Sequence, residues 1–431
     1  MGGVDDRTAI AWLHRRVGLG LGPGELDRLS ALGVDTVVDR LLQPDAQGVE
    51  LAPDPWVGLD LTYDRERPGD QAKAAIAAWI PAMAATPRPT ESWLTWFWHG
   101  YFATSVTKVR FASLMVEQLR LLRRMGSGPF EELLRAITTD PAMLIWLDGR
   151  ENSRATPNEN YGREVMELFS LGVGSYEEAD VAAATGALSG WTLQRTDPVT
   201  SGRVPRRHDD RSRTLLGRPG VTDVDQVIAT ITAQPACSRF VAGRLAAAVL
   251  GDAADDGLVT DLAATFRAAD LDLGVLLRAV VDAGLARLDG RTDDLPPVVV
   301  APVPWLVGAL RATGARPSDK VLGAGLKAAG QVPMAPPNVG GWPGGAAWLS
   351  TSTAVARFNM AVAVAQTTAG DSPVLRAAAE GPDDELADLL GRPEGFTPAT
   401  RSALAVARRT GGRAGVAALT VALASPELVV A

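Results

Sequence analysis

Residues 130–147, FEELLRAITTDPAMLIWL, and 224–250, VDQVIATITAQPACSRFVAGRLAAAVL, repeat apolar side chains every three or four positions. That spacing lines them along one face of an α-helix. The same period recurs over most of the chain, and β-branched alternation is scarce. The sequence therefore reads as an all-α, mainly helical globular protein with a few long ordered loops and room for one small hairpin. Gly22-Pro23, Pro87 with Pro89, Gly126 to Pro129, Asp140-Pro141 and Pro296-Pro297 punctuate the helices. A Pro-rich stretch over 286–304 divides a helical part, 1–290, from a helical C-terminal part, 291–431, expected to pack into the same globule.

Three stretches do not read as helix: the Pro-rich stretch and two loops. Residues 192–222, TLQRTDPVTSGRVPRRHDDRSRTLLGRPGVT, are polar and turn-rich, long enough for a hairpin or an ordered functional loop. Residues 331–353, QVPMAPPNVGGWPGGAAWLSTST, hold too much Pro and Gly for regular structure. Their tryptophans, Trp342 and Trp348, suit a rigid wall facing a pocket or the core.

Composition removes several functional classes. The 431 residues include one cysteine, three histidines and eleven tryptophans. A lone Cys237 excludes disulfide scaffolds, four-cysteine zinc sites and CxxC redox pairs. Any metal centre must use carboxylates and at most three imidazoles. With 42 Lys+Arg against 50 Asp+Glu, the net charge is -8, which argues against nucleic acid as a partner. No apolar run approaches a membrane span. Acids precede the first apolar residues, no export signal is evident, and a cytoplasmic protein is expected. The nucleophile elbow GxSxG, the zinc motif HExxH and a strand-to-helix GxGxxG are all missing.

The stretch 157–171, PNENYGREVMELFSL, reads as one helix. Thr156 is the expected N-cap, Pro157 its first residue, Glu159 the capping-box partner and Gly172 the left-handed stop. Glu159, Arg163 and Glu167 then fall at i,i+4 spacing, where Arg163 could bridge the two acids. Glu164 and Glu167, three apart, share a face.

These residues also carry a resemblance. PNENYGREVMELFSLGVGSYEEADVAAATGALSGWT (157–192), together with WLHRRVGLG (12–20), WFWHGYFATSVTKV (96–109), HDDRSRTLLG (208–217) and PPNVGGWPGGAAWLSTSTAVARFN (336–359), resembles the bacterial family "domain of unknown function 1800". The blocks run in the same order from about residue 11 to 360. The resemblance picks out His14, His99, Asn158, Glu159, Asn160, Arg163, Glu164, Glu167, His208, Asp209, Gly341 and Trp342. It further implies relatives that are exported and encoded beside a sulfatase-like or phosphatase-like family, "domain of unknown function 1501", a candidate protein partner.

The expected chemistry is a divalent metal site. Glu164 and Glu167 would ligate with His208, and Asp209 or His99 would serve as ligand or base. This N/O set suits zinc, manganese or iron. Arg163 would orient the site or anchor substrate, with Asn160, Arg207 and Trp342 lining the substrate pocket. Arginines 203, 206, 207, 211, 213 and 218 make the His208 loop basic, fit for a phosphate, sulfate or carboxylate on a small-molecule or peptide substrate. His14, beside Arg15 and Arg16, reads as a local cap or pair. The resulting expectation is a metal-dependent hydrolase or oxidoreductase. Its alternative is a non-catalytic helical partner or scaffold whose polar residues form a buried network fixing helix packing.

Overall fold

The computed structural model describes residues 5–430 except 65, 68, 195, 197 and 290–297. Residues 290–297 of the expected linker, and with them the expected 290/291 boundary, thus lie outside the described residues. Helices dominate, and several begin at a capping carboxylate or a first-position proline. Asp140 accepts from the Met143 N–H at 2.9 Å and caps Pro141–Trp146, with proline at the first helical position. Asp223 and Asp255 cap Val224–Thr232 and Asp256–Ala268 in the same way. Apolar faces then bury against one another. The buried apolar side chains make one continuous core running from Ile10 to Leu423. Chain ends are tied across it: Arg7 on the Asp6–Val17 helix forks onto both Asp388 carboxylate oxygens at 2.7 Å, and Val299 bridges Val430 antiparallel. Among the described residues no helix is long and apolar enough to cross a membrane.

The 192–222 stretch holds two hairpins rather than one. Strand β1 (Trp191–Gln194) pairs antiparallel with β2 (Thr200–Arg203), Trp191 opposite Arg203. Strand β3 (Arg213–Leu215) pairs with β4 (Arg218–Val221), Leu215 opposite Arg218. The second turn uses Leu216 and Gly217, both at positive φ, as tight two-residue hairpins require. Leu-Gly lacks the Asn-Gly or Asp-Gly signature, so the hairpin is hidden from local pattern.

The 331–353 stretch is less irregular than its composition implies. One 3-10 turn spans Gly345–Leu349, and a helix, Thr351–Thr367, starts from Ser350, whose hydroxyl accepts from the Thr353 N–H. Trp348 is buried. Trp342 stacks on Trp96 of the Pro89–Tyr101 helix, ring centroids 5.0 Å apart. The stacking needs a close backbone approach. Gly341 sits at φ +84°, and a Cβ there would stand 2.4 Å from the Gly100 carbonyl oxygen.

Gly341→Ala therefore combines a left-handed backbone with a collision against main chain, and we expect it to cost about 2–4 kcal/mol. Gly344→Ala in the same loop, where an added Cβ meets nothing within 4 Å, should stay within about 0.5 kcal/mol. Chemical denaturation of the two variants checks this; equal stabilities would refute the packing argument.

Candidate functional site

The motif helix starts later than expected. Thr156 is consumed in a turn, its N–H donating to the Ser153 carbonyl at 3.1 Å and its own carbonyl accepting from the Ser153 N–H at 3.1 Å. Capping passes to Asn158, whose side chain accepts from the Asn160 N–H at 3.1 Å. The α-helix is Glu159–Met166, followed by a π turn, Glu167–Leu171, and Gly172 at φ +77°. In the π turn the Ser170 hydroxyl donates to the Val165 carbonyl at 2.6 Å. Such π turns inside helices occur often at functional sites.

Arg163 and Glu167 take partners outside this helix. Arg163 forks onto Glu178 at 2.8 and 2.7 Å instead of bridging Glu159 and Glu167. Glu167 accepts from the Tyr176 hydroxyl. Glu164 is half-buried, and burial together with the Glu167 charge raises its carboxyl above the usual range. Asn160 is exposed.

His99 lies elsewhere. It is wholly buried on the Pro89–Tyr101 helix, ringed by Trp79, Trp96 and Trp342 at centroid separations of 5.8, 6.1 and 5.2 Å. Its Nε2 accepts from the Met334 backbone N–H at 3.0 Å. Burial holds its pKa down to about 3, so the ring is neutral. His14 is equally enclosed, and burial lowers it to about 4. Its ring does no capping: the His14 carbonyl accepts from the Gly18 and Gly20 N–H groups at 3.1 and 2.7 Å.

In the polar loop, His208 Nδ1 donates to the Ser189 carbonyl at 3.0 Å. Gly190, at φ +85°, leaves room for the His208 backbone, 2.8 Å from where a Cβ would stand. Asp209 accepts from Arg211 Nε and Nη2 at 2.8 and 2.6 Å and also from Arg213. The two guanidiniums hold its carboxyl well below the usual range. A carboxylate so committed is a poor proton acceptor. Among the described residues, no group of three or more His, Cys, Asp or Glu side chains is placed to hold a metal ion. The expected set of Glu164, Glu167, His208, Asp209 and His99 is thus not gathered at one centre.

What the fold does gather is the turn at 148–152. The Asp148 carbonyl accepts from Asn158 Nδ2 at 3.4 Å and its carboxylate from Lys108 Nζ at 2.8 Å. The Arg150 carbonyl accepts from Arg207 Nη2 at 2.7 Å. Asn152 accepts from the Asn158 N–H through its side chain and from the Gly190 N–H through its carbonyl. Blocks 96–109, 157–192 and the segment entering 208–217 meet here. Beside the turn lies a cleft of about 470 Å³ lined by Thr107, Lys108, Val109, Arg110, Phe111, Ile145 and Arg150. Its charged lining is three cations and no carboxylate. Lys108 is paired with Asp148 and Arg150 with Glu151 at 3.2 Å, whereas Arg110 has no ion pair among the described residues.

Sequence reasoning placed the basic site in the 203–218 loop, and of its arginines Arg207 reaches this turn. Arg110 and Arg150 were missed. Lys108 lay inside a motif block, yet nothing in Thr-Lys-Val-Arg signals a ligand site.

A family model described as "Protein of unknown function (DUF1800)" matches residues 12–430. No curated protein and no solved structure matches the chain.

The helix carrying Ile145 toward this cleft depends on Asp140, which also accepts from Gln118 Nε2 at 2.7 Å. Burial pushes the Asp140 carboxyl up to about 7. A folded pKa raised above the unfolded value means the folded state holds the extra proton, and that stabilisation disappears as pH rises from about 4 to about 7. Asp140→Asn keeps a capping oxygen and carries no charge. Its stability relative to wild type should therefore grow across that window, by roughly 4 kcal/mol at most. Urea melts at pH 4, 6 and 8 measure it; a constant gap would rule out titration of Asp140.

Proposed function

We propose, on the premise that the chain belongs to the DUF1800 family of proteins of unknown function, that it binds an anionic small molecule in the cleft of Lys108, Arg110 and Arg150. The recognised group is a phosphate, sulfate or carboxylate. The observation that carries this reading is the lining itself: three cations, no acid, and apolar walls from Val109, Phe111 and Ile145. At about 470 Å³ the volume suits a metabolite-sized ligand. Guanidinium groups take such oxyanions in paired hydrogen bonds.

Arg110 strengthens the reading. Its backbone is left-handed, φ +67°, at the end of the Val106–Val109 turn. A side chain there costs roughly 1–2 kcal/mol that glycine avoids. That conformation closes the turn, the Arg110 N–H donating to the Val106 carbonyl at 2.9 Å. The side chain itself is exposed and makes no ion pair among the described residues, which leaves its guanidinium open to an anion.

A second reading draws on Glu164 and Glu167. Two carboxylates on one face, one of them half-buried with its pKa raised by burial and then by the charge of the other, would have their repulsion relieved by a divalent cation. Zinc, manganese or iron held there with further ligands would support metal-assisted hydrolysis or oxidation.

Arg110→Gly should raise stability by about 1 kcal/mol while weakening phosphate, sulfate or citrate binding about tenfold. Calorimetric titration at low salt and thermal melts of the same samples check both halves. Unchanged anion affinity would defeat the proposal. For the second reading, protein purified without chelators should carry about one equivalent of metal that Glu164→Gln with Glu167→Gln loses; metal-free wild type that stays so after reconstitution would eliminate it.

A further inference from the structure

We propose that a second, larger cleft binds a monoanionic amphiphile, an alkyl chain ending in one carboxylate. It opens between the Val34–Leu42 helix, the non-helical strap that follows it, and the Pro89–Tyr101 and Ala112–Met125 helices. Its volume is about 740 Å³, within the range of small-molecule sites. Leu42, Leu51, Trp56, Leu94 and Leu277 supply apolar wall.

The charged lining is four arginines against three acids, and it resolves almost completely into pairs. Arg88 meets Asp45 at 2.7 Å, Arg120 meets Asp54 at 2.7 Å, and Arg123 meets Glu91. These arginines are also occupied in fastening the strap. Arg88 donates to the Val49 and Glu50 carbonyls at 2.5 and 3.0 Å, and Arg123 to the Ala52 carbonyl at 2.6 Å. Arg124 remains. It lines the cleft, is exposed, and has no hydrogen bond or ion pair among the described residues. One free cation beside an apolar trough selects one negative charge on an apolar body.

A second polar group is left without a partner. Thr90, 2% exposed, stands in the same wall, and its hydroxyl makes no hydrogen bond among the described residues. A buried hydroxyl without a partner is costly. A bound carboxylate would give it an acceptor. Neither Arg124 nor Thr90 belongs to the Lys108, Arg110 and Arg150 cleft, so this inference stands apart from the function proposed above.

The test is calorimetric titration of the full chain with decanoate, decanol and acetate below micellar concentration. Wild type should bind one decanoate per chain, decanol about tenfold more weakly, and acetate weakest of the three. Arg124→Glu should erase the preference for decanoate over decanol. Leu51→Asp, which puts a charge on an exposed position of the apolar wall, should weaken both. Phosphate binding should be untouched in both variants, and decanoate binding untouched in Arg110→Gly, which separates this site from the other. The inference is overturned if wild type binds no decanoate, if it binds decanoate and decanol alike, or if either cleft variant keeps wild-type decanoate affinity.

Discussion

The backbone amide of Met334 is buried where water cannot reach it, and its acceptor is the ring of a histidine 235 positions earlier, His99. Leaving that N–H unpaired would cost about 1–3 kcal/mol. The Met334 carbonyl is satisfied from the same region, accepting from the Val106 N–H at 2.8 Å. Both backbone groups of Met334 are thus held by the aromatic helix and the turn after it. Gly341 laid against Gly100 and Trp342 stacked on Trp96 extend the clasp along the helix. Because Val106 opens the turn that carries Lys108 and Arg110, the basic cleft inherits its geometry from this long-range closure.

Charge in this protein is organised by pairing rather than by net balance. An overall charge of -8 coexists with two clefts whose surplus is positive. The acids near the polar loop and the strap are already committed: Asp209 to Arg211 and Arg213, Asp54 to Arg120, Glu91 to Arg123. Arginine suits this role because its planar fork holds carboxylates and carbonyls together. Among the described residues Arg110 and Arg124, one in each cleft, carry no ion pair.

Two motif histidines serve the fold directly. His99 accepts from a backbone amide and His208 donates to the Ser189 carbonyl. Both are buried and bonded to main chain, which is how interiors accommodate such groups. From sequence these residues looked like ligands, since a histidine in a rare-histidine chain and two glutamates on one helix face are what metal sites use. The difference between a ligand and a strut is where the partner atom stands, and the partners here come from segments distant in sequence.

Helical class, most boundaries and the Gly172 stop are local properties, set by backbone sterics and by capping within four residues. They were therefore readable along the chain. So was family membership, carried by long ordered blocks. The start of the motif helix was not, because Thr156 had a competing bond to Ser153. The Leu216-Gly217 hairpin escaped notice because packing, not turn signature, stabilises it. Which cations stay unpaired, which histidine meets which amide, and which side chains wall a cleft depend on distances between elements tens to hundreds of residues apart. No pattern along one chain encodes those distances; they exist only once the helices have packed.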